Sequence, residues 1–441
     1  MKKFLCFILF ISIISCSKDD DKNPSTTGVT NVKWSKAFGG SGDDEGLAIT
    51  NTVDGGSIVA GYSSTADGDV SSYHSGPDNE AYDFWVLKLD ASGTKQWSKS
   101  FGGSGFDVAF AVITTTDGGY AVAGRSGSDD GDVTDNYGSS DFWIVKLDAS
   151  GNKQWAKSFG EEAGDEATSI IATSDGGYIV TGTVWNWSGN TDYDIWLLKL
   201  NSSGTIEWSK TFAGTSSEEA SSAIATADGG YAITGYTKST DGDFTNTLGG
   251  DNMMVIKLDA SGNKQWIKTY GGSGDDYGHS IIATADGGYA IAGNTLSTDG
   301  DVPGNHGHSD GWVIKLDASG VKQWSKTFGG SADDYANSIV TTSTGQYVVA
   351  GYIESTDGDI PKSHGGDTDA FILTLNASGS ELTAKTFGGS GRDEINQTII
   401  TANGKNILTT GYSNSTDGDI SGNHGTSNSW VMDSWVMELD F

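Results

Sequence analysis

The chain has 441 residues, with 26 Lys and Arg against 58 Asp and Glu and a formal charge of −32. Its 64 Gly lack a G-X-Y period, which excludes collagen, and its 14 Trp, 16 Tyr and 16 Phe supply a core too large for a disordered chain. So acidic a protein is excluded as a tracker of nucleic-acid phosphates, because affinity for that polyanion comes from Lys and Arg.

Lys2 and Lys3 precede an apolar run from Phe4 to Ser15, which ends in Ile13-Ile14-Ser15-Cys16. A positive segment before a short apolar one is a secretory signal pattern, and the run is too short to span a bilayer comfortably. The I-I-S-C ending resembles a bacterial lipobox. The following Ser17-Lys18-Asp19-Asp20-Asp21 is similar to the acidic export tag of Bacteroidota-type surface lipoproteins. The resemblance implies a signal peptide over 1–15, lipidation at Cys16, and an outer-membrane anchor facing the cell exterior. An ordinary secretory signal with an incidental Cys is the alternative. With Cys6 cut away, no thiol is left for disulfides or thiolate metal sites. Residues 16–30 read as the lipidated Cys and a polar, flexible tether, and 31–441 as one folded unit.

Internal repeats decide the fold class. A K-x-W-x-K-x-[FY] signature places its Trp at Trp34, Trp97, Trp155, Trp208, Trp266 and Trp324, with Thr383 in the seventh copy. The intervals are 63, 58, 53, 58, 58 and 59 residues. Each unit carries four short strand candidates. In one they are Ser280–Thr284, Tyr289–Gly293, Trp312–Leu316 and Lys322–Phe328, separated by an A-D-G-G turn, a long Gly/Asp/Ser loop and a D-A-S-G turn. Turn residues between alternating, β-branched or aromatic runs predict antiparallel hairpins. Seven such units predict an all-β fold, a seven-bladed β-propeller, since one blade cannot bury both its faces alone. A β-helix has shorter repeats without alternating hairpins.

The first element, Asn31 to Phe38, reads as a lone fourth strand, and the last, Trp435 to Phe441, as a third strand with no fourth after it. The N-terminal segment is therefore predicted to complete the final blade as a strand latch.

The recurring F-G-G-S-G-D-D…D-G-G-Y…G-Y-[ST]-x-S-T-D-G-D run resembles the SBBP β-propeller repeat of bacterial surface and secreted proteins. The resemblance covers essentially all of the chain after the tether and implies a propeller in an extracellular setting, with no agreed activity. Blade three departs from it at Gly160-Glu161-Glu162 and lacks the S-T-D-G-D loop, and blade six reads T-S-T-G-Q at its first turn. The K-L-D-A-S-G-N-K-Q-W segment is also similar to the outer hairpin of quinoprotein propellers, where a Trp docks between blades. A packing role for the Trp is the better reading.

In a four-strand meander, the loops between strands two and three and between blades share one face, here called upper. The two tight turns share the lower face, where Gly and Asp are expected to serve turn chemistry alone. The upper face is acidic. One carboxylate per blade stands just before the innermost strand: Asp44, Asp107, Asp165, Glu218, Asp276, Asp334 and Asp393. Seven like charges near a channel mouth require screening or pairing. D-G-D pairs add Asp67/Asp69, Asp130/Asp132, Asp241/Asp243, Asp299/Asp301, Asp357/Asp359 and Asp417/Asp419. A further Asp precedes the third strand at Asp83, Asp141, Asp194, Asp310, Asp369 and Asp433, with Asn252 as the exception.

Such carboxylates on Gly-containing loops suit Ca²⁺, with Asp299, Asp301, Asp357, Asp359, Asp417 and Asp419 as the candidate ligands. The alternative is a scaffold of Asx turns, and recurrence in every blade favours it. His74, His306, His364 and His424 hold equivalent loop positions in different blades, so convergence on zinc is not expected.

Blade three replaces the acidic loop with T-V-W-N-W-S-G-N. Trp185 and Trp187, beside Asn186 and Asn190, are candidate ligand-binding residues, because aromatic faces suit sugar rings and peptide side chains. Filling the space left by the shortened loop is the competing role. Trp430 is a second irregular aromatic.

No H-E-x-x-H or P-loop occurs. The expected function is a non-catalytic binding or scaffold module for an extracellular glycan or envelope protein, with Ca²⁺ as a candidate cofactor. A propeller-fold lyase or glycoside hydrolase is the alternative.

Overall fold

The computed structural model describes Gly28, Val29, Gly76 and residues 31–74, 81–186, 192–245, 247–360, 364–424 and 431–441. Among these residues, 28 strands form seven four-stranded antiparallel sheets. The protein is a seven-bladed β-propeller. Blade five is typical, with strands Asp276–Ala283, Tyr289–Thr295, Asp310–Leu316 and Lys322–Phe328 running from the channel outward.

The latch is present. Blade seven takes Asp393–Ile400, Asn406–Ser413 and Asp433–Asp440 from the C-terminal end and Val32–Phe38 as its outer strand. Ser35 stands opposite Met437 and Phe38 opposite Ser434.

In five blades the third strand is buried along its whole length, because both faces lie against neighbouring blades. Asp141–Leu147, reading D-F-W-I-V-K-L, is an apolar run with an Asp at its upper end and a Lys at its lower end. Fourth strands are half-exposed, and their Trp does dock between blades. A Cβ on Gly93, in the D-A-S-G turn of blade one, would lie 2.7 Å from the Trp34 ring of blade seven. That turn also needs φ +69° at Gly93, so only glycine meets both demands.

Every innermost strand is bulged at the same place, between Gly278 and Ser280 in blade five and between Gly46 and Ala48 in blade one. Residues at the bulge, such as His279, Asn337 and Asn396, line a central channel of about 400 Å³. The bulge interrupts the ladder, and side chains of the preceding blade receive the displaced N–H groups. Ser169 accepts from Ala223 N at 3.2 Å, Ser280 from Ile339 N at 3.3 Å, Ser338 from Thr398 N at 3.0 Å, and Gln397 from Ile49 N at 2.6 Å. Asn337 and Asn396 donate across to Ile395 O and Gly46 O. The polar channel wall is thus a set of staples between blades.

The lower face corrects one expectation. The A-D-G-G aspartates do more than shape turns. Asp54, Asp117, Asp175, Asp228 and Asp286 each meet the buried Lys of their own third strand, Lys88, Lys146, Lys199, Lys257 and Lys315, at 2.8–2.9 Å. Each of these amines also donates to the carbonyl of the next residue. Hydrogen bonds from Lys257 and Thr226 hold the Asp228 carboxyl down at about 2, and those from Lys315 and Thr284 do the same for Asp286. Blades six and seven lose both partners together, with Thr344 and Thr374 in one and Asn403 and Glu438 in the other.

Candidate functional site

The seven equivalent carboxylates open the innermost strands and are buried. Each turns back onto its own inter-blade loop, accepting the backbone N–H of Gly40, Gly103, Glu161, Gly214, Gly272, Gly330 or Gly389 at 2.6–2.8 Å. Ser128, Ser297, Ser355 and Ser415 add hydroxyl donors to Asp107, Asp276, Asp334 and Asp393. None of the seven lines the central channel.

Four of these carboxylates, Asp44, Asp107, Asp165 and Asp334, open toward a third-strand Asp of the preceding blade, Asp433, Asp83, Asp141 and Asp310. A Cβ on Gly102 would lie 2.5 Å from Asp107 Oδ2 and 2.7 Å from Asp83 Oδ1, and Gly39 stands likewise between Asp44 and Asp433. Glycine is required where two carboxylates close over the backbone. Burial pushes Asp44 up to about 7, and pushes Asp83 and Asp141 up to about 6. The loop histidines serve the outer side of the same groups. His74, His306 and His424 place Nδ1 at 2.6–2.9 Å from Asp83, Asp310 and Asp433. Blade four has Leu248 in the His position and Asn252 in the Asp position, so the charge and its partner are absent together.

In the D-G-D pairs the two aspartates face different partners. The first accepts the backbone N–H of Ser41, Ser104, Thr215, Ser273, Ser331 or Ser390, through Asp67, Asp130, Asp241, Asp299, Asp357 and Asp417. The second is paired with a lysine in four blades: Asp69 with Lys95, Asp132 with Lys153, Asp243 with Lys264, and Asp301 with Lys322. Asp419 accepts Gly388 N at 3.2 Å. Among the described residues, no three His, Cys, Asp or Glu side chains are grouped as a metal would need.

Of the blade-three candidates, Trp185 is described. Trp187, Asn190, Trp430 and Cys16 lie outside the described residues, and so does the side chain of Asn186. Trp185 is half-buried, with its ring edge-on to Tyr193 at 4.9 Å, and its Nε1 has no partner among the described residues. It lines a cavity of about 290 Å³ where blades two, three and four meet on the upper face. Arg125, Glu166, Glu219, Ser139, Ser140 and Tyr193 line it as well. Arg125 holds Glu166 at 2.9 Å, and Tyr236 donates to Glu219 at 2.5 Å. Burial pushes the Glu166 carboxyl up, and Glu219 adds repulsion to the same effect.

This cavity belongs to a wider mouth that the repeat pattern conceals. The residue after each opening carboxylate is Glu45, Glu166, Glu219, Tyr277, Tyr335 or Glu394, with Val108 in blade two. Across the strand pair stand Tyr62, Thr183, Tyr236, Asn294, Tyr352 and Tyr412, with Arg125 opposite Val108. The two arginines of the chain, Arg125 and Arg392, both lie here, the second on Glu394 at 2.6 Å. Burial pushes Glu45 up to about 7. The signal that could have found this mouth is the changing residue inside an otherwise constant D-x-[GA] and G-x-[ST] frame.

Comparison with known proteins adds little beyond the chain trace. No protein-family model matches the chain. A segment of 221 residues is 27% identical to the regulatory protein FlaEY of Caulobacter vibrioides, covering 46% of this chain and 22% of that protein. The chain therefore spans about a fifth of that relative's length. Among solved structures, the Pan2 WD40 domain of Neurospora crassa is similar with a TM-score of 0.49 at 9% identity, over 93% of this chain and 97% of that one. The polysaccharide lyase Uly1 is similar with a TM-score of 0.49 at 11% identity, over 94% of each. Sqt1 of Chaetomium thermophilum gives 0.47 at 11% identity, over 94% and 100%.

Proposed function

We propose that this protein is a non-catalytic binding module whose upper-face pocket at blades two to four takes an extracellular saccharide. The observation that carries this reading is the pocket itself. An indole wall stands beside a guanidinium, two carboxylates and two serines. An apolar face with convergent planar polar groups is the combination that holds a sugar ring. Trp185→Ala is expected to abolish binding to an oligosaccharide array while leaving the fold intact. Retained binding sinks the assignment.

The propeller is further proposed to be of the SBBP type and anchored through Cys16 on the outer membrane, where an envelope protein is the competing partner. The lipobox and acidic tag support this address. Cys16→Ala is expected to release the protein from the membrane fraction and to end its labelling by fatty acid. For the D-G-D loops, the backbone and lysine partners support scaffold over calcium. A melting temperature raised by Ca²⁺ and lowered by chelator would reverse that reading, since a ligand of the native state stabilises it.

A second reading, a glycoside-cleaving enzyme, is favoured by one observation. Glu45 is raised to about 7 beside the Arg-paired Glu394 of the preceding blade, a pairing of unlike carboxyl environments. Release of reducing ends from a polysaccharide panel, lost in Glu45→Gln, is its test.

A further inference from the structure

We propose that the pocket selects a saccharide carrying free amines, an oligomer of non-acetylated amino sugar, with the ammonium seated against Glu219 and Glu166. This rests on the saccharide reading above and goes further by naming the charge of the ligand. Glu166 and Glu219 come from the innermost strands of neighbouring blades and line one cavity. Glu219 opposes the ionisation of Glu166, and one guanidinium, Arg125, is bound to Glu166. Glu219 has a neutral donor, the Tyr236 hydroxyl. The pocket therefore holds one carboxylate more than it holds cations. A ligand cation between the two carboxylates relieves their repulsion in a half-buried setting, where charge pairs are stronger than in water.

The walls agree. The Trp185–Tyr193 pair offers aromatic surface, which attracts ammonium groups as well as sugar C–H faces. The other arginine of the mouth is held by Glu394, and Asp43, Asp251, Asp275 and Asp333 stand on the surrounding loops. At −32 overall, the protein draws cationic chains toward this face and repels uronates and sulfated sugars. Acetylation of the amine removes the charge and adds bulk where the two carboxylates converge.

The test is calorimetry on the intact protein with three probes: tetramers of β-1,4-linked glucosamine, of N-acetylglucosamine and of galacturonate. The expected result is glucosamine bound at least about tenfold tighter than N-acetylglucosamine, no galacturonate binding, and weakening as salt rises, as expected of a partly exposed charge contact. Glu219→Gln keeps an acceptor for Tyr236, so it is expected to fold normally and to erase the preference by lowering glucosamine affinity to that of N-acetylglucosamine. Equal binding of the neutral and amine tetramers, with both lost in Trp185→Ala, overturns this inference and leaves the saccharide site standing. An unchanged preference in Glu219→Gln also overturns it. Failure of all three probes, or indifference of every affinity to Trp185→Ala, overturns the saccharide reading too. A tri-lysine peptide bound as tightly as the amino-sugar tetramer would place the ligand among basic peptides instead.

Discussion

The Glu438 carboxylate receives the Trp34 indole N–H at 2.6 Å, joining residues 404 positions apart in the chain. In five other blades the Glu438 position is a buried Lys paired with a turn Asp. Here the Lys has become Glu and the turn Asp has become Asn403, and the acid grips the incoming N-terminal strand instead. Lys33 adds an ion pair at 2.9 Å, and Asn406 donates at 2.5 Å. The ring is closed by a residue that breaks the repeat.

Glu438→Ala is expected to weaken this closure. Glu438 is 6% exposed, and its loss strands an indole N–H and an amide as well as Lys33. A destabilisation of about 2 kcal/mol is expected in denaturant titration, in the range for hydrogen bonds to a buried charge. A loss under about half of that would make the clasp incidental.

Lys146→Thr removes a buried cation from beside the half-exposed Asp117 and is expected to destabilise by about 1–2 kcal/mol. Adding Asp117→Thr reproduces the Thr344/Thr374 pair of blade six and is expected to restore part of that loss. Strict additivity of the two changes in a double-mutant cycle would show that the residues do not act as a pair.

Stability is expected to peak in mildly acid solution. Asp44, Asp83 and Asp141 are raised in the folded state, so their favourable contribution is complete below about pH 4 and is lost as pH climbs through 6 to 7. Asp228 and Asp286 are lowered to about 2, so their contribution is present above about pH 4 and is lost as pH falls toward 2. The melting temperature should therefore rise from pH 7.5 toward about 4.5 and drop below about 3.5. Asp141→Asn, which copies Asn252, is expected to stabilise by about 1 kcal/mol at pH 7.5 and to change little at acid pH. Equal effects at both pH values would remove the burial of the Asp141 charge as the cause.

Ala111 occupies the slot filled by Ser169, Ser280, Ser338 and Gln397 in other blades, where the side chain accepts an N–H from the next blade. Ala111→Ser is expected to add one such staple, to Ile170 N, and to stabilise by about 0.5–1 kcal/mol. A neutral or lowered melting temperature would mean that the blade two–three junction is spaced differently.

Much of the fold was legible because the repeat prints the same grammar seven times. The Trp of K-x-W, the Gly of D-A-S-G and the Asp of A-D-G-G announce turns and strands by their spacing. The latch followed from Asn31–Phe38 having no blade of its own. What spacing hid were partners brought together across the chain. Lys146 and Asp117 are 29 residues apart and read as an ordinary strand residue and an ordinary turn residue. Asp83 and Asp107 belong to different blades, and nothing local says that they close over Gly102.

Trp185 drew notice because blade three departs from the repeat. Arg125, Glu166 and Glu219 did not, since each sits in a slot that varies from blade to blade. By itself the sequence determined strand number, blade number and the order of closure. Those depend on local turn chemistry and on the need to bury two faces of every sheet. Only the tertiary structure decided which charges meet, because stacking sets side chains of adjacent blades within bonding distance regardless of their separation along the chain.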